Sequence, residues 1–292
     1  MGGGSWTSKD FASYSTARGL DISYDSSGYA TIANKYSTQD LYSSNFLQDI
    51  LNPYGVVRQC CDSEEHPNTI PVILALDVTG SMGGAATAVA RKLNEVMTRL
   101  YEQVPDVEFC IMGIGDLDYD AAPIQISQFE SDIRIATQLD KVYFEGGGGG
   151  NGFESYTAAW YMGSRHTDLD CWKRGQKGII ITMGDEPLNP YLPKKRLAHV
   201  TGDNLEADIE TSALYKEVTE KFDVYHLAVK DEDSSYEWHK RELHKSFGKY
   251  FDEDHLRVVT LDNIANVIVD IISKSTSASA NVIENPSEGI AW

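Results

Sequence analysis

Two kinds of hydrophobic run alternate along the chain. "TIPVILALDV" (69 to 78), "VEFCIMGIG" (107 to 115), "KGIIITMGD" (177 to 185) and "DVYHLAV" (223 to 229) are near-continuous apolar stretches. Runs of this length with no internal polar alternation predict parallel strands covered on both faces. "APIQISQF" (122 to 129) and "LRVVTL" (256 to 261) predict shorter strands, the first at a sheet edge. Between them the period changes. Ala86, Val89, Leu93, Val96, Met97 and Leu100 recur every three or four residues and put one apolar stripe on a helix of about five turns. "SDIRIATQL", "ESYTAAWYMGSR", "DIETSALYKEVTEKF", "SYEWHKRELHKSF" and "DNIANVIVDIISK" predict further helices.

Strands alternating with helices predict an α/β fold: three layers, doubly wound, with a mostly parallel sheet and helices on both faces. Residues 1–65 lack sustained periodicity and are rich in Ser, Tyr, Gly and Asp, so they are expected to form an irregular arm packed on the domain. Within the arm, "TQDLYSSNFLQDILNPYG" predicts one short helix stopped by Pro53 and Gly55. Residues 66–275 are expected to form the domain and 276–292, rich in Ser, Ala and Asn, a flexible tail.

Composition narrows the partners. Of 292 residues, 44 are Asp or Glu and 25 Lys or Arg, a formal charge of −19, which opposes unassisted binding to a phosphate backbone or an anionic membrane. The start "MGGGSWTSKDFASYS" has no basic n-region or apolar h-region, and no apolar run approaches a bilayer span, so a cytoplasmic protein is expected. Cys60, Cys61, Cys110 and Cys171 show no C-x-x-C spacing and are expected to be reduced thiols.

Ligands of such folds collect at the carboxyl ends of strands. There, "VILALDVTGSMGG" sets Asp77, Thr79 and Ser81 at alternate positions, where a curving loop can aim all three at one point. Carboxylate and hydroxyl oxygens are hard donors suited to Mg²⁺, Mn²⁺ or Ca²⁺, and Gly80, Gly83 and Gly84 let the backbone bend around an ion. The bland alternative is a helix N-cap.

"DVTGSM" after an apolar strand resembles the D-x-S/T-x-S element of the von Willebrand factor type A domain, and the resemblance covers roughly residues 70 to 275. It implies a Rossmann-like fold and a metal-ion-dependent adhesion site built from three loops. Asp185 in "IIITMGDEP" matches the third loop. The second departs from the family's usual G-G-T: "GGGGGNGFESYTAAW" looks like a variant in which a glycine-rich loop ends in an acid, implying Glu154 as ligand, with Asn151 where that variant has Asp and Ser155 or Thr157 as lesser candidates. "RQCCDSEEHPNTIPVILALDVTGSM" looks like a bacterial and phage subgroup. The resemblance implies a non-enzymatic module that binds an acidic residue of a partner protein through a divalent cation, Mg²⁺ first, and an AAA+ ring ATPase as a partner by family analogy.

Other readings compete. Gly147, Gly149 and Gly152 satisfy G-x-G-x-x-G, with Asp168 and Asp170 at a ribose-contact distance in sequence, but a run of five glycines makes that match nearly automatic. No G-K-[ST] follows. A Mg²⁺-dependent phosphoesterase is the rival function, although Thr79 stands where an aspartyl phosphatase would have its second acid. A structural or assembly protein with a vestigial site is the third. Asp116, Asp118 and Asp120 invite a second cation but read more simply as a solvated acidic turn. Glu237, His239, Glu242 and His244 read as a charged helix face, and His226 as a core histidine.

Overall fold

The computed structural model describes residues 4–147, 150–230 and 236–284, with the backbone alone for 236–239 and 278–284. In chain order the elements are α1 (Ser8–Ala17), β1 (Ile22–Tyr24), β2 (Ala30–Ile32), α2 (Thr38–Leu41), β3 (Arg58–Cys60), β4 (Ile70–Asp77), α3 (Gly83–Tyr101), β5 (Val107–Ile114), β6 (Ile124–Ile126) and α4 (Arg134–Leu139). There follow α5 (Thr157–Arg165), β7 (Thr167–Leu169), α6 (Asp170–Lys173), β8 (Gly178–Gly184), β9 (Tyr191–Leu192), α7 (Lys194–Thr201), β10 (Ile209–Glu210) and α8 (Thr211–Thr219). The last are β11 (Phe222–Val229), α9 (Tyr236–Phe247), β12 (Leu256–Val259) and α10 (Ile264–Glu284).

Among the described residues six strands form one sheet in the order β12-β11-β8-β4-β5-β6, parallel except for the antiparallel edge strand β6. Alternate side chains of β4 feed two separate cores. Val72, Leu74 and Leu76 join the core under α3 and α10, while Ile73 and Ala75 join the one under α5, α8 and α9. This is why the strand reads as unbroken apolar sequence: both faces are roofed by helices. The fold is therefore the expected mostly parallel, doubly wound α/β sandwich. β4 and β8 lie side by side at its centre, so the turns that follow them open at the same end of the sheet.

The first 65 residues are not irregular. They contain α1, the β1–β2 hairpin, α2 and β3, and Trp6, Phe11, Leu20, Ile32, Leu41, Tyr42 and Leu51 belong to the same core as β4 and α3. Polar bonds fix them there: Trp6 Nε1 donates to Asn94 Oδ1 (3.0 Å), Asn94 Nδ2 to the Ala30 carbonyl (3.0 Å), and the Tyr42 hydroxyl to the Ala86 carbonyl (2.8 Å). The segment 38–55 forms two short pieces, α2 and a 3₁₀ turn at Asp49–Leu51, because each buries a single leucine (Leu41, Leu51). α7, β9 and β10 were not predicted at all. The last helix continues past residue 275 to Glu284, and residues 285–292 lie outside the described residues.

Candidate metal centre

β4 ends at Asp77, which is buried with both carboxylate oxygens engaged. Oδ1 accepts from the Thr79 backbone N–H (2.9 Å) and the Thr79 hydroxyl (2.6 Å), and Oδ2 accepts from the Tyr156 hydroxyl (2.7 Å). The first loop then turns outward through a 3₁₀ turn, Gly80–Met82, and leaves Ser81 exposed. The hydroxyl of Ser81 donates to Oδ1 of Asp185, one residue past the end of β8, at 3.1 Å. The first and third loops thus meet through the residues that the sequence singled out.

The second loop is laced to both. The Val78 carbonyl accepts from Glu145 N–H (3.0 Å) and Gly146 N–H (3.3 Å), and Gly80 N–H donates to the Gly147 carbonyl (2.7 Å). A side chain at Gly80 would come within 2.9 Å of the Gly146 carbonyl oxygen, so this approach requires glycine. Further on, Glu154 N–H donates to the Pro187 carbonyl (3.3 Å) and Glu154 forms a parallel bridge with Leu188, which sets it beside the third loop. Its carboxylate is buried, and among the described residues Oε2 has no hydrogen-bond partner.

The remaining second-loop candidates face elsewhere. Asn151 Oδ1 accepts from Phe153 N–H (3.4 Å), and its side chain lies on the Asp116 side, where it opposes the rise that burial imposes on that carboxyl. Ser155 accepts from Leu117 N–H (3.0 Å), and the Thr157 hydroxyl accepts from Asn189 Nδ2 (2.6 Å).

Charge at this end of the sheet is one-sided. Burial pushes Asp77 well above the usual carboxylate range, and neighbouring Asp185 adds to it against the Thr79 and Tyr156 hydrogen bonds. Burial raises Glu154 further, reinforced by Asp77, Asp120, Asp116 and Glu186. No basic side chain is among the principal influences on either group. Crowded carboxylates of this kind are relieved by protons or by a cation.

Among the described residues, no set of three or more His, Cys, Asp and Glu groups is gathered closely enough to hold a metal ion. Asp77, Glu154 and Asp185 therefore do not make a three-acid cage. The candidate donors form two pairs, Asp77 with the Thr79 hydroxyl and Asp185 with the Ser81 hydroxyl, and Asp185 lies near enough to raise Asp77; two acids and two hydroxyls are a hard-oxygen set whose chemistry fits Mg²⁺. Bound there, a divalent cation would supply positive charge and an open coordination position.

The acidic turn after β5 is not solvated as expected. Asp116 and Asp120 are buried: Asp116 Oδ1 accepts from Asp118 N–H (2.8 Å) and Asp120 Oδ2 from Asp116 N–H (2.7 Å). Two features fold it inward. Gly115 leaves room for the Asp120 carboxylate, which a side chain there would meet at 2.3 Å, and Arg196 of α7 donates to the Leu117 (2.6 Å) and Asp120 (3.2 Å) carbonyls.

The dinucleotide fingerprint comes apart. Gly149 lies outside the described residues, and the Gly147 carbonyl is taken by Gly80. Asp170 accepts from Asp62 N–H, which sits beside Thr69 at the opposite end of β4. His226 is a core residue, its Nδ1 2.9 Å from the Thr182 hydroxyl and its ring stacked on Phe247 at 4.0 Å. Of the four residues in "YEWHKRELH", the side chains of Glu237 and His239 lie outside the described residues, and Glu242 pairs with Lys245 (3.3 Å). The cysteines are free. No described helix is long and apolar enough to cross a membrane. The residues that sequence reasoning missed are Tyr156, Gly184 and Arg196. The signal for the middle one is a glycine at the last position of a buried strand, immediately before the acid.

No family model matches the chain, and no curated protein matches it. Similar solved structures include the pilus adhesin SpaC from Lactobacillus rhamnosus GG in its open conformation, at 14% identity and a TM-score of 0.44, over 80% of this chain and 31% of that one. Proximal thread matrix protein 1 from the mussel byssus gives 12% and 0.44 over 70% and 47%. The vWF domain of the type V pili tip protein Mfa5 from Porphyromonas gingivalis gives 12% and 0.41 over 77% and 98%. The chain spans less than half the length of the first two. The fold class rests on this chain's own strand order and register.

Proposed function

We propose that the chain is a non-enzymatic, cation-dependent protein-binding module. Ser81 and Asp185 would hold one divalent cation, Mg²⁺ first and Mn²⁺ or Ca²⁺ as substitutes, with Asp77 and Thr79 behind them. An Asp or Glu side chain of the partner would complete the shell. Two hydroxyls among the donors leave the ion underneutralised and attractive to an outside carboxylate. Glu154, beside the third loop, would weaken that attraction by adding negative charge.

The observation that carries this reading is the 3.1 Å bond from Ser81 to Asp185, two strand-end residues 104 positions apart in sequence. A cytoplasmic adaptor for an AAA+ ATPase is the form we assign to the module, by family analogy.

The test is calorimetric titration of Mg²⁺ and Mn²⁺ into the full chain and into Asp77→Ala, alongside partner capture from the native host with and without chelator. We expect saturable binding, weakened about 100-fold or more by the substitution, and capture lost both in chelator and in Asp77→Ala. Metal-dependent turnover of phosphoesters that disappears in the same variant replaces this reading with the hydrolase.

A further inference from the structure

Resting on the cation reading above, we propose that Tyr156 is the positioning residue of the centre: its hydroxyl sets the Asp77 carboxylate and keeps the three loops in register around the ion. Tyr156 is fully buried just before α5, two residues after Glu154. Its hydroxyl donates to Asp77 Oδ2 at 2.7 Å and accepts from the Glu186 backbone N–H at 3.3 Å. One oxygen atom therefore joins the end of β4, the start of α5 and the turn after β8. With Thr79 holding Oδ1 through its N–H and hydroxyl, the Asp77 carboxylate is fixed by three donors and cannot rotate freely.

The surroundings are cut to this hydroxyl. Gly184 is the last residue of β8, and a Cβ there would lie 1.9 Å from the Tyr156 oxygen. A glycine inside a buried strand gives up side-chain packing and loses more backbone freedom on folding than alanine. At this position it is what admits the ring. His226 at 4.9 Å and Phe247 at 6.1 Å between ring centroids brace the ring, and His226 is itself fixed by Thr182. A phenylalanine would satisfy the packing alone. The oxygen accounts for the link to Asp77.

Tyr156→Phe removes that oxygen and keeps the ring, so the experiment measures Mn²⁺ affinity and, separately, the thermal midpoint in chelator. The expected result is Mn²⁺ binding weakened about 10- to 100-fold, the range for groups that orient a metal ligand, with the chelator midpoint lowered no further than in Phe247→Leu, because the Asp77 carboxylate keeps its two Thr79 donors. Phe247→Leu, which loosens the bed of the ring and leaves the hydroxyl, is expected to lower the midpoint and retain wild-type affinity. Wild-type affinity in Tyr156→Phe, while Asp77→Ala binds no Mn²⁺, overturns the assignment and leaves the cation reading standing. Loss of midpoint and affinity in parallel in both aromatic variants also overturns it, in favour of packing. A wild-type chain that binds no Mn²⁺ sinks both.

Discussion

Ser81 and Asp77 have opposite relations to the fold although both belong to one loop. Ser81 is exposed, so Ser81→Ala should leave the unfolding free energy in chelator within about 0.5 kcal/mol of wild type while weakening Mn²⁺ binding; a fold that collapses on this change contradicts its placement as a surface donor. Gly184→Ala should act in reverse. The added methyl would overlap the Tyr156 oxygen, and overpacking a buried site costs about 1–3 kcal/mol, readable as a shifted urea midpoint. What the sequence discloses at this scale is whatever local spacing carries. Asp77, Thr79 and Ser81 stand out because they break an apolar strand at alternate positions. Tyr156 does not, since nothing in "ESYTAAWYMGSR" separates an aromatic that anchors a carboxylate from Trp160, which fills core. Asp116 and Asp120 mislead for the same reason: the turn that carries them is held by Arg196, distant in sequence, through the Leu117 and Asp120 carbonyls.

α7 and the amino-terminal elements show how periodicity fails. In "KKRLAHVT" only Leu197 and Thr201 are buried, which leaves too few apolar positions to mark a helical stripe. The arm's core residues, from Trp6 to Leu51, are single apolar side chains dispersed among polar ones, each finding a place on α3 or the neighbouring core rather than on its own element. The central strands β4, β5 and β8 are legible because burial on both faces writes itself into consecutive residues. Since α7 exists partly to deliver Arg196 to two carbonyls of the acidic turn, Arg196→Ala should cost about 1–3 kcal/mol. It should also raise amide hydrogen exchange between Gly115 and Pro123; unchanged exchange there would count against the pinning role.

For the molecule as a whole, titration and truncation both have a definite sign. Burial and neighbouring acids hold Asp77 and Glu154 above their ordinary values. Without a cation, the folded chain therefore keeps protons that the unfolded chain has released, and stability falls as pH rises through that window. His226 works from the other side: burial lowers it from 6.5 to about 3, so the unfolded chain alone takes up a proton as pH drops, and stability falls again. A bound divalent cation needs ionised acids. The rise in thermal midpoint caused by Mg²⁺ should accordingly be larger near about pH 8 than near about pH 5.5, and a larger rise at the lower pH contradicts the assignment. Removing residues 1–60 takes Phe11, Leu41 and Leu51 out of the core, each worth about 1.5–3 kcal/mol when buried. The truncated chain should therefore be insoluble or unfolded by circular dichroism, which makes it a test of folding and not of assembly.

The two margins of the sheet are unequal. β6 is buried along its length, and Arg58 caps the Ile126 carbonyl at 2.8 Å. Among the described residues no strand lies beyond β12, where Val258 is 42% exposed. Among the described residues β12 is the more accessible margin, and a second copy pairing its backbone there would close on itself as a two-fold pair. Pairing through β12 would therefore favour a closed pair over a ribbon, and a lysine in place of Val258 should oppose it.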